Sequence, residues 1–154
     1  MNHISRTLIL PGNDDYVDSA WELKELIRRQ ESVFHQCEDF FRRVYKQSFV
    51  YVCIDTENDE LAGFASFGDD GYIFFIAVHP NYRGEGYGRE MVKTIFDNSS
   101  IARCHVRATN ENAIQFYQHT GFEFDEYISG YYSDGGDAYY IELEDFGNSC
   151  SWGV

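Results

Sequence analysis

Three glycines alternate between two arginines in YRGEGYGR, residues 82–89, where Gly84, Gly86 and Gly88 lie between Arg83 and Arg89. The rest of the chain is acidic, with 26 Asp and Glu against 12 Lys and Arg and a net charge of −14, so positive charge gathered here needs a reason. The chemistry such a stretch offers is anion binding. A glycine-rich turn that opens a helix points backbone N–H groups outward without partners inside the helix, and an anion reaches them because no Cβ intervenes. Two familiar phosphate patterns do not fit. G-x-G-x-x-G begun at Gly84 and Gly86 would put its third glycine where Arg89 stands, and no G-K-[ST] occurs. Spacing alone leaves open an ordinary strand-to-helix turn whose glycines serve tight geometry.

A second chemical candidate is His105, five residues before Asn110. Histidine changes charge near neutral pH and can take a proton from a reacting group. The adjacent Cys104 raises the idea of a Cys–His nucleophile, but neighbours on a strand face opposite ways, so that pairing and an acyl-cysteine route are not expected. The cysteines Cys37, Cys53, Cys104 and Cys150 form no C-x-x-C pair. They read as free, mostly buried thiols, with neither a zinc site nor a disulfide framework, and no metal is expected.

These residues need elements to position them. Residues 5–10 suit a short strand stopped by Pro11-Gly12, and Asp14 or Asp15 can cap a helix reaching about residue 33. Cys37, Phe40, Phe41, Val44 and Tyr45 fall on one face of a second helix. SFVYVCI (48–54) and LAGFASF (61–67) read as strands around DTENDE, and GDDG makes the next turn. YIFFIAV (72–78) is apolar at every position, which predicts a central strand buried on both faces. Pro80 ends it, the glycine stretch follows, and a helix runs over 87–98. ARCHVRA (102–108) alternates, with Ala102, Cys104, Val106 and Ala108 on an apolar face and Arg103, His105 and Arg107 on the other. Asn110 caps a helix through His119, stopped by Gly121, and strands at about 122–129 and 137–144 close the domain. The order is β-α-α-β-β-β-α-β-α-β-β. The helix between 72–78 and 102–108 implies a right-handed crossover and a parallel strand pair. The fold class is therefore α/β, in the α+β sense of a mixed sheet with helices on both faces.

A chain of 154 residues is most simply one domain, with a core at about 6–145 and a tail at 146–154. The N-terminus has only a three-residue apolar run, too short for a signal peptide or membrane span, and a cytoplasmic location without a membrane partner is expected. Nucleic acid is an unfavourable partner on charge. The acids are spread along the chain, which favours adaptation to a salty, halophilic cytoplasm over a preference for cationic substrates.

The stretch V-H-P-N-Y-R-G-E-G-Y-G resembles the acetyl-CoA signature of the GCN5-related N-acetyltransferase (GNAT) superfamily, whose R/Q-x-x-G-x-G/A core is matched by Arg83, Gly86 and Gly88. A second family motif follows as N-E-N-A-I-Q-F-Y-Q-H-T-G-F, from Asn110 to Phe122. The resemblance spans about residues 6–145, though the first 45 residues agree only in pattern. It implies acetyl-CoA as cofactor. The backbone N–H groups of Gly84, Glu85, Gly86, Tyr87 and Gly88 would hold its pyrophosphate, with Arg89 a helper. Ile76 and Val78 would pair with the pantetheine arm, the Val78 N–H would polarise the acetyl carbonyl, and Asn110 would touch the same arm. Tyr117, in the family's usual acid position, would protonate the departing thiolate, although it also shares a helical face with Ala113 and Phe116 and could be a core tyrosine.

The chain is more closely similar to ribosomal-protein alanine acetyltransferases and to catalytic subunits that acetylate protein N-termini. Their base stands at the position of His105, paired in one branch with a tyrosine where Tyr72 stands. Their substrate-covering tyrosines match Tyr131 and Tyr132. The resemblance thus implies direct transfer, in a ternary complex, to a protein or peptide N-terminal α-amine, by a monomer or homodimer. QESVFHQ (30–36) does not match the family's peptide-binding loop. Two alternatives stay open: the same chemistry on a small amine such as a polyamine or aminoglycoside, and an acyl-CoA-binding module without catalysis.

Overall fold

In the computed structural model, residues 3–145 are described, and Cys150 with the rest of the tail lies outside them. The elements are β1 (Ile4–Ile9), α1 (Val17–Glu31), α2 (Glu38–Gln47), β2 (Phe49–Asp55), β3 (Glu60–Phe67) and β4 (Ile73–Val78). They continue with a 3-10 turn at Pro80–Tyr82, α3 (Tyr87–Ser99), β5 (Ala102–Arg107), α4 (Glu111–Thr120), β6 (Glu123–Ile128) and β7 (Ala138–Leu143). This is the expected order. Neither Asp14 nor Asp15 caps α1, because Tyr16 takes that position with φ 64° and the helix starts at Val17.

β1 to β4 form an antiparallel sheet in sequence order, and β5, β7 and β6 form a second, with β7 between the other two. α1 and α2 cover one face of the first sheet. There Phe41, fully buried, meets the rings of Trp21, Tyr45, Phe64 and Phe75. Met91, Val92 and Ile95 of α3 and Tyr117 of α4 fill a second cluster with Ala65 and Phe67 of β3 and Cys104 and Val106 of β5. β3 lies between the two clusters, which is why Leu61 to Phe67 are all buried.

The parallel pairing of β4 with β5 has the predicted direction but is short. Tyr72 and Arg103 form an isolated parallel bridge, and the Arg103 N–H donates to the Gly71 carbonyl at 3.0 Å. Beyond that point the two strands belong to different sheets. Gly71 has φ +79°, and a Cβ there would lie 2.1 Å from the Ile101 carbonyl oxygen, so only glycine lets the two backbones approach so closely. The separation also corrects the reading of 72–78. β4 is an edge strand of its sheet, not a strand buried on both faces: Phe74 is 42% exposed, and Ile76 and Val78 are half-buried. Of the thiols among the described residues, all free, Cys53 and Cys104 are buried and Cys37 is exposed, in keeping with mostly buried thiols. No helix among the described residues is long and apolar enough to cross a membrane.

Candidate active site

Where β4 and β5 part, a cavity of about 1000 Å³ opens. Its wall includes β4, the glycine turn, β5, α4, the segment between α1 and α2, and the loop between β6 and β7. The glycine turn supplies the anion-binding end. Gly84 and Gly86 have φ 81° and 90°, and a Cβ built on either meets nothing within 4 Å, so their backbone faces open space. Gly86 is the N-cap of α3 and brings no side-chain cap, leaving the first N–H groups of a 13-residue helix to a ligand. Gly84, Gly86, Tyr87, Gly88 and Arg89 line the cavity, whereas Glu85 does not. A Cβ on Gly88 would lie 2.8 Å from the Phe116 ring, which fixes how closely α3 and α4 pack beside the turn. The Arg83 side chain also lines the cavity, but its guanidinium is engaged by Glu31 at 2.6 Å and by the Val78 carbonyl at 3.1 Å.

β4 supplies hydrogen-bonding groups along the gap. The His79 N–H donates across to the Ala62 carbonyl of β3 at 2.8 Å. Backbone groups alternate sides along an antiparallel edge, so the N–H groups of Val78 and Ile76 point away from β3, into the cavity. Asn110 lines the cavity as well, but its Oδ1 accepts from the Ala113 N–H at 3.2 Å and caps α4, so only its amide NH2 is left to a ligand.

His105 faces the cavity from β5, and its Nδ1 is 2.7 Å from the Tyr72 hydroxyl. The Tyr131 ring stacks on the imidazole with centroids 4.3 Å apart and planes within 12°, and Tyr140 lies against it at 5.2 Å. Tyr72 and Tyr131 are not in the cavity wall; they hold His105 from the side, while Tyr132 reaches the wall itself. Burial holds His105 below the usual imidazole range. Glu126 pulls against that shift, and the Arg103 charge adds to it. With a proton on Nδ1 donated to the Tyr72 oxygen, the free lone pair is on Nε2. Burial raises the Tyr72 phenol far above its ordinary value, with neighbouring Tyr131 adding to it, so Tyr72 stays protonated.

Tyr117 is 5% exposed, packs edge-on against Phe116 and Phe122, and lines the cavity from α4. Burial, with Cys104 beside it, raises its phenol well above the ordinary range, so the hydroxyl keeps its proton at any working pH. Cys104 lines the same wall, but burial pushes its thiol up to about 12, which removes the thiolate a nucleophile requires.

Two loops complete the cavity wall, and their anchors carry no sequence signal. Residues 32–37 contribute Val33, Phe34, His35 and Gln36, although 30–36 does not match the peptide-binding loop of the family it resembles. The segment turns through left-handed Ser32 and Phe34 and is pinned from below. The buried Lys24 ammonium donates to the Gln36 carbonyl at 2.6 Å and to Glu25 at 3.0 Å, 4.6 Å from the Trp21 ring. Arg28 and Lys24 together pull the Glu25 carboxyl down to about 2, so the cluster stays charged. The β6–β7 loop is held from the end of β5, where Arg107 donates to both Asp134 carboxylate oxygens at 3.1 Å, with its guanidinium 4.1 Å from the Tyr132 ring.

The arrangement joins an anion cradle, a row of edge-strand amides, a neutral imidazole and a protonated phenol on one cavity. Comparison with known proteins agrees in kind. The model of the acetyltransferase (GNAT) family matches residues 15–122. N-alpha-acetyltransferase 30 from Xenopus laevis is 32% identical over 78 residues, 47% of this chain and 29% of that protein. The L-amino acid N-acyltransferase MnaT from Escherichia coli is 30% identical over 84 residues, 46% of this chain and 49% of that protein. The chain thus spans about half the length, or less, of the curated relatives it matches. Among solved structures, the ribosomal-protein-S18-alanine N-acetyltransferase from Escherichia coli superimposes with a TM-score of 0.67 at 25% identity, covering 90% of this chain and 93% of that one.

Proposed function

The chain belongs to the GNAT acetyltransferase family, and we propose that it transfers the acetyl group of acetyl-CoA to the N-terminal α-amine of a protein or peptide, by direct attack with both substrates bound. The observation that carries this reading is His105, hydrogen-bonded to Tyr72, stacked on Tyr131 and facing the cavity that the glycine turn opens.

The residues fit coenzyme A. Open space before Gly84 and Gly86 and the uncapped start of α3 suit a pyrophosphate, and the inward amides of Ile76 and Val78 and the Asn110 amide suit an arm that carries peptide-like groups. When bound, acetyl-CoA supplies a thioester carbonyl open to attack and a thiol leaving group. His105 takes the proton of the incoming ammonium at Nε2, directly or through a water. With acetyl-CoA bound, the Val78 N–H would donate to the thioester carbonyl oxygen, and Tyr117 would hold a proton for the thiol. Replacing Gly86 by alanine forces a side chain into a left-handed N-cap, which costs roughly 1–2 kcal/mol. The free turn can relieve that strain by leaving the conformation that binding must restore, so acetyl-CoA affinity is expected to fall by up to about 5- to 30-fold, with kcat at saturation nearly unchanged, read by titration calorimetry and initial rates.

The charge pattern favours an N-terminus over a polyamine. The cavity-lining carboxylates Glu31 and Asp134 are held by Arg83 and Arg107, so neither offers a spare negative charge to a polycation. The apolar side chains Val33 and Phe34 and the Tyr132 ring line the same side. Relatives named for N-terminal and for amino-acid substrates keep free amino acids as the rival acceptor. Initial rates on peptides with varied first residues, against free amino acids, spermidine and an aminoglycoside, separate them. The proposal expects peptides to lead in kcat/KM, and turnover confined to small amines would refute it.

We also propose that the charge of −14 reflects adaptation to salt. At about 1 M salt the screening length shrinks to roughly 3 Å, which removes most repulsion between surface carboxylates. The melting temperature should rise on going from dilute buffer to molar potassium chloride, and no change would contradict this reading.

A further inference from the structure

His105 lies on β5 and Tyr72 immediately before β4, at the vertex where the two sheets meet. Arg103 stands at that vertex in two ways. Its backbone makes the isolated bridge to Tyr72 and donates to Gly71, just before β4 and β5 part. Its side chain then reaches back across the same joint. The guanidinium Nη2 donates to Asp70 Oδ2 at 2.5 Å, and the guanidinium carbon lies 5.2 Å from the centre of the Tyr72 ring. Asp70 Oδ1 in turn accepts from the Tyr72 N–H at 3.2 Å. The base pair is thus gripped on the β4 side by Asp70 and on the β5 side by Arg103, two residues before His105 on the same strand face.

We propose that Arg103, anchored by Asp70 against the Tyr72 ring, is a positioning residue for acetyl transfer that fixes the Tyr72–His105 pair and places a positive charge beside it. The proposal rests on the reading of His105 as the base. A cation at 5–6 Å over an aromatic face is attracted to it and restrains the ring, so the Tyr72 hydroxyl is held on His105 Nδ1. The same positive charge disfavours an imidazolium. The groups facing His105 are few enough to name. Tyr72, Tyr131 and Tyr140 surround its ring, and Tyr117 and Cys104 occupy the other side of β5. Glu126 on β6 is the carboxylate that opposes Arg103. Glu142 on β7 lies opposite Arg103 and accepts from the Tyr140 hydroxyl at 2.5 Å, while Arg107 is neutralised by Asp134.

The test compares the wild-type chain with Arg103→Met, Arg103→Lys and Asp70→Asn at low ionic strength. His105 is titrated by NMR, its imidazole signal assigned by its loss in His105→Gln, and kcat and KM are measured against pH. Arg103→Met removes the charge and unmasks Asp70, so the His105 titration should move up by roughly half a unit, and the acidic limb of the rate profile should move with it. Asp70→Asn should move both the opposite way. Arg103→Lys keeps the charge and should hold the titration near the wild-type value. The kcat of Arg103→Met should fall several-fold with the KM for acetyl-CoA unchanged. If His105 titrates at one pH in all four chains and kcat is unaltered, Arg103 only joins the sheets and the proposal is wrong. Should Arg103→Met fail to fold, the downward shift expected for Asp70→Asn against the unmoved titration expected for Arg103→Lys still decides it. A wild-type chain that acetylates no amine refutes the reading of the site, while the titration, read without turnover, still decides for or against Arg103.

Discussion

Glutamine in place of His105 lowers kcat about 100-fold or more, while acetyl-CoA binds as before. The imidazole lines the cavity, as do those of His35 and His119, but it is the one oriented on its far nitrogen by the Tyr72 hydroxyl, at 2.7 Å. Glutamine keeps polarity and approximate size but has no basic lone pair, so the loss reads proton transfer rather than packing. The pH profile sharpens the test. Burial lowers the His105 pKa, so the neutral base is already present at ordinary imidazole pH, and activity falls only as pH drops below that range. The variant should lose this acidic limb along with the rate. The sign for stability is the same: the neutral form is favoured in the folded chain, so its contribution is intact above the usual imidazole pKa and is lost as pH falls through the depressed folded value. A variant that keeps both rate and limb would show that the base lies elsewhere.

Phenylalanine in place of Tyr117 is the second large effect, a fall in kcat of about 100-fold with little change in KM for acetyl-CoA. The ring is buried between Phe116 and Phe122, and phenylalanine fills the same space, so melting should shift by only a few degrees. What is lost is the hydroxyl proton. Because burial beside Cys104 raises that phenol well above 10, the wild-type profile should show no alkaline fall from Tyr117 within the working range. Initial rates paired with thermal melts check this. If Tyr117→Phe keeps kcat within about twofold, the residue is part of the core and the leaving sulfur finds its proton elsewhere.

Much of this site was legible because its signals are local. The glycines of 84–88, the Asn110 cap and the alternation of 102–107 each declare themselves within a few residues, and the structure places all three around one cavity. The link between Tyr72 and His105 came from resemblance, since nothing in spacing joins residues 33 apart. The anchors of the site were illegible for the same reason. Arg83 meets Glu31 across 52 residues, Arg103 meets Asp70 across 33, and Arg107 meets Asp134 across 27. Each is an ordinary charged residue until the fold brings its partner. The run 72–78 misled in a different way. An all-apolar strand normally lies between covered faces, but here the sheet opens beside it and Phe74 looks into the gap.

The claim that the acceptor is a protein N-terminus is tested most directly by locating the acetyl group. The chain is incubated with acetyl-CoA and a peptide that carries a free α-amine and an internal lysine, and the product is fragmented in a mass spectrometer. The account predicts one acetyl group on the α-nitrogen and none after His105→Gln. Acetylation on the lysine alone, or of free amino acids and polyamines with the peptide untouched, would contradict it.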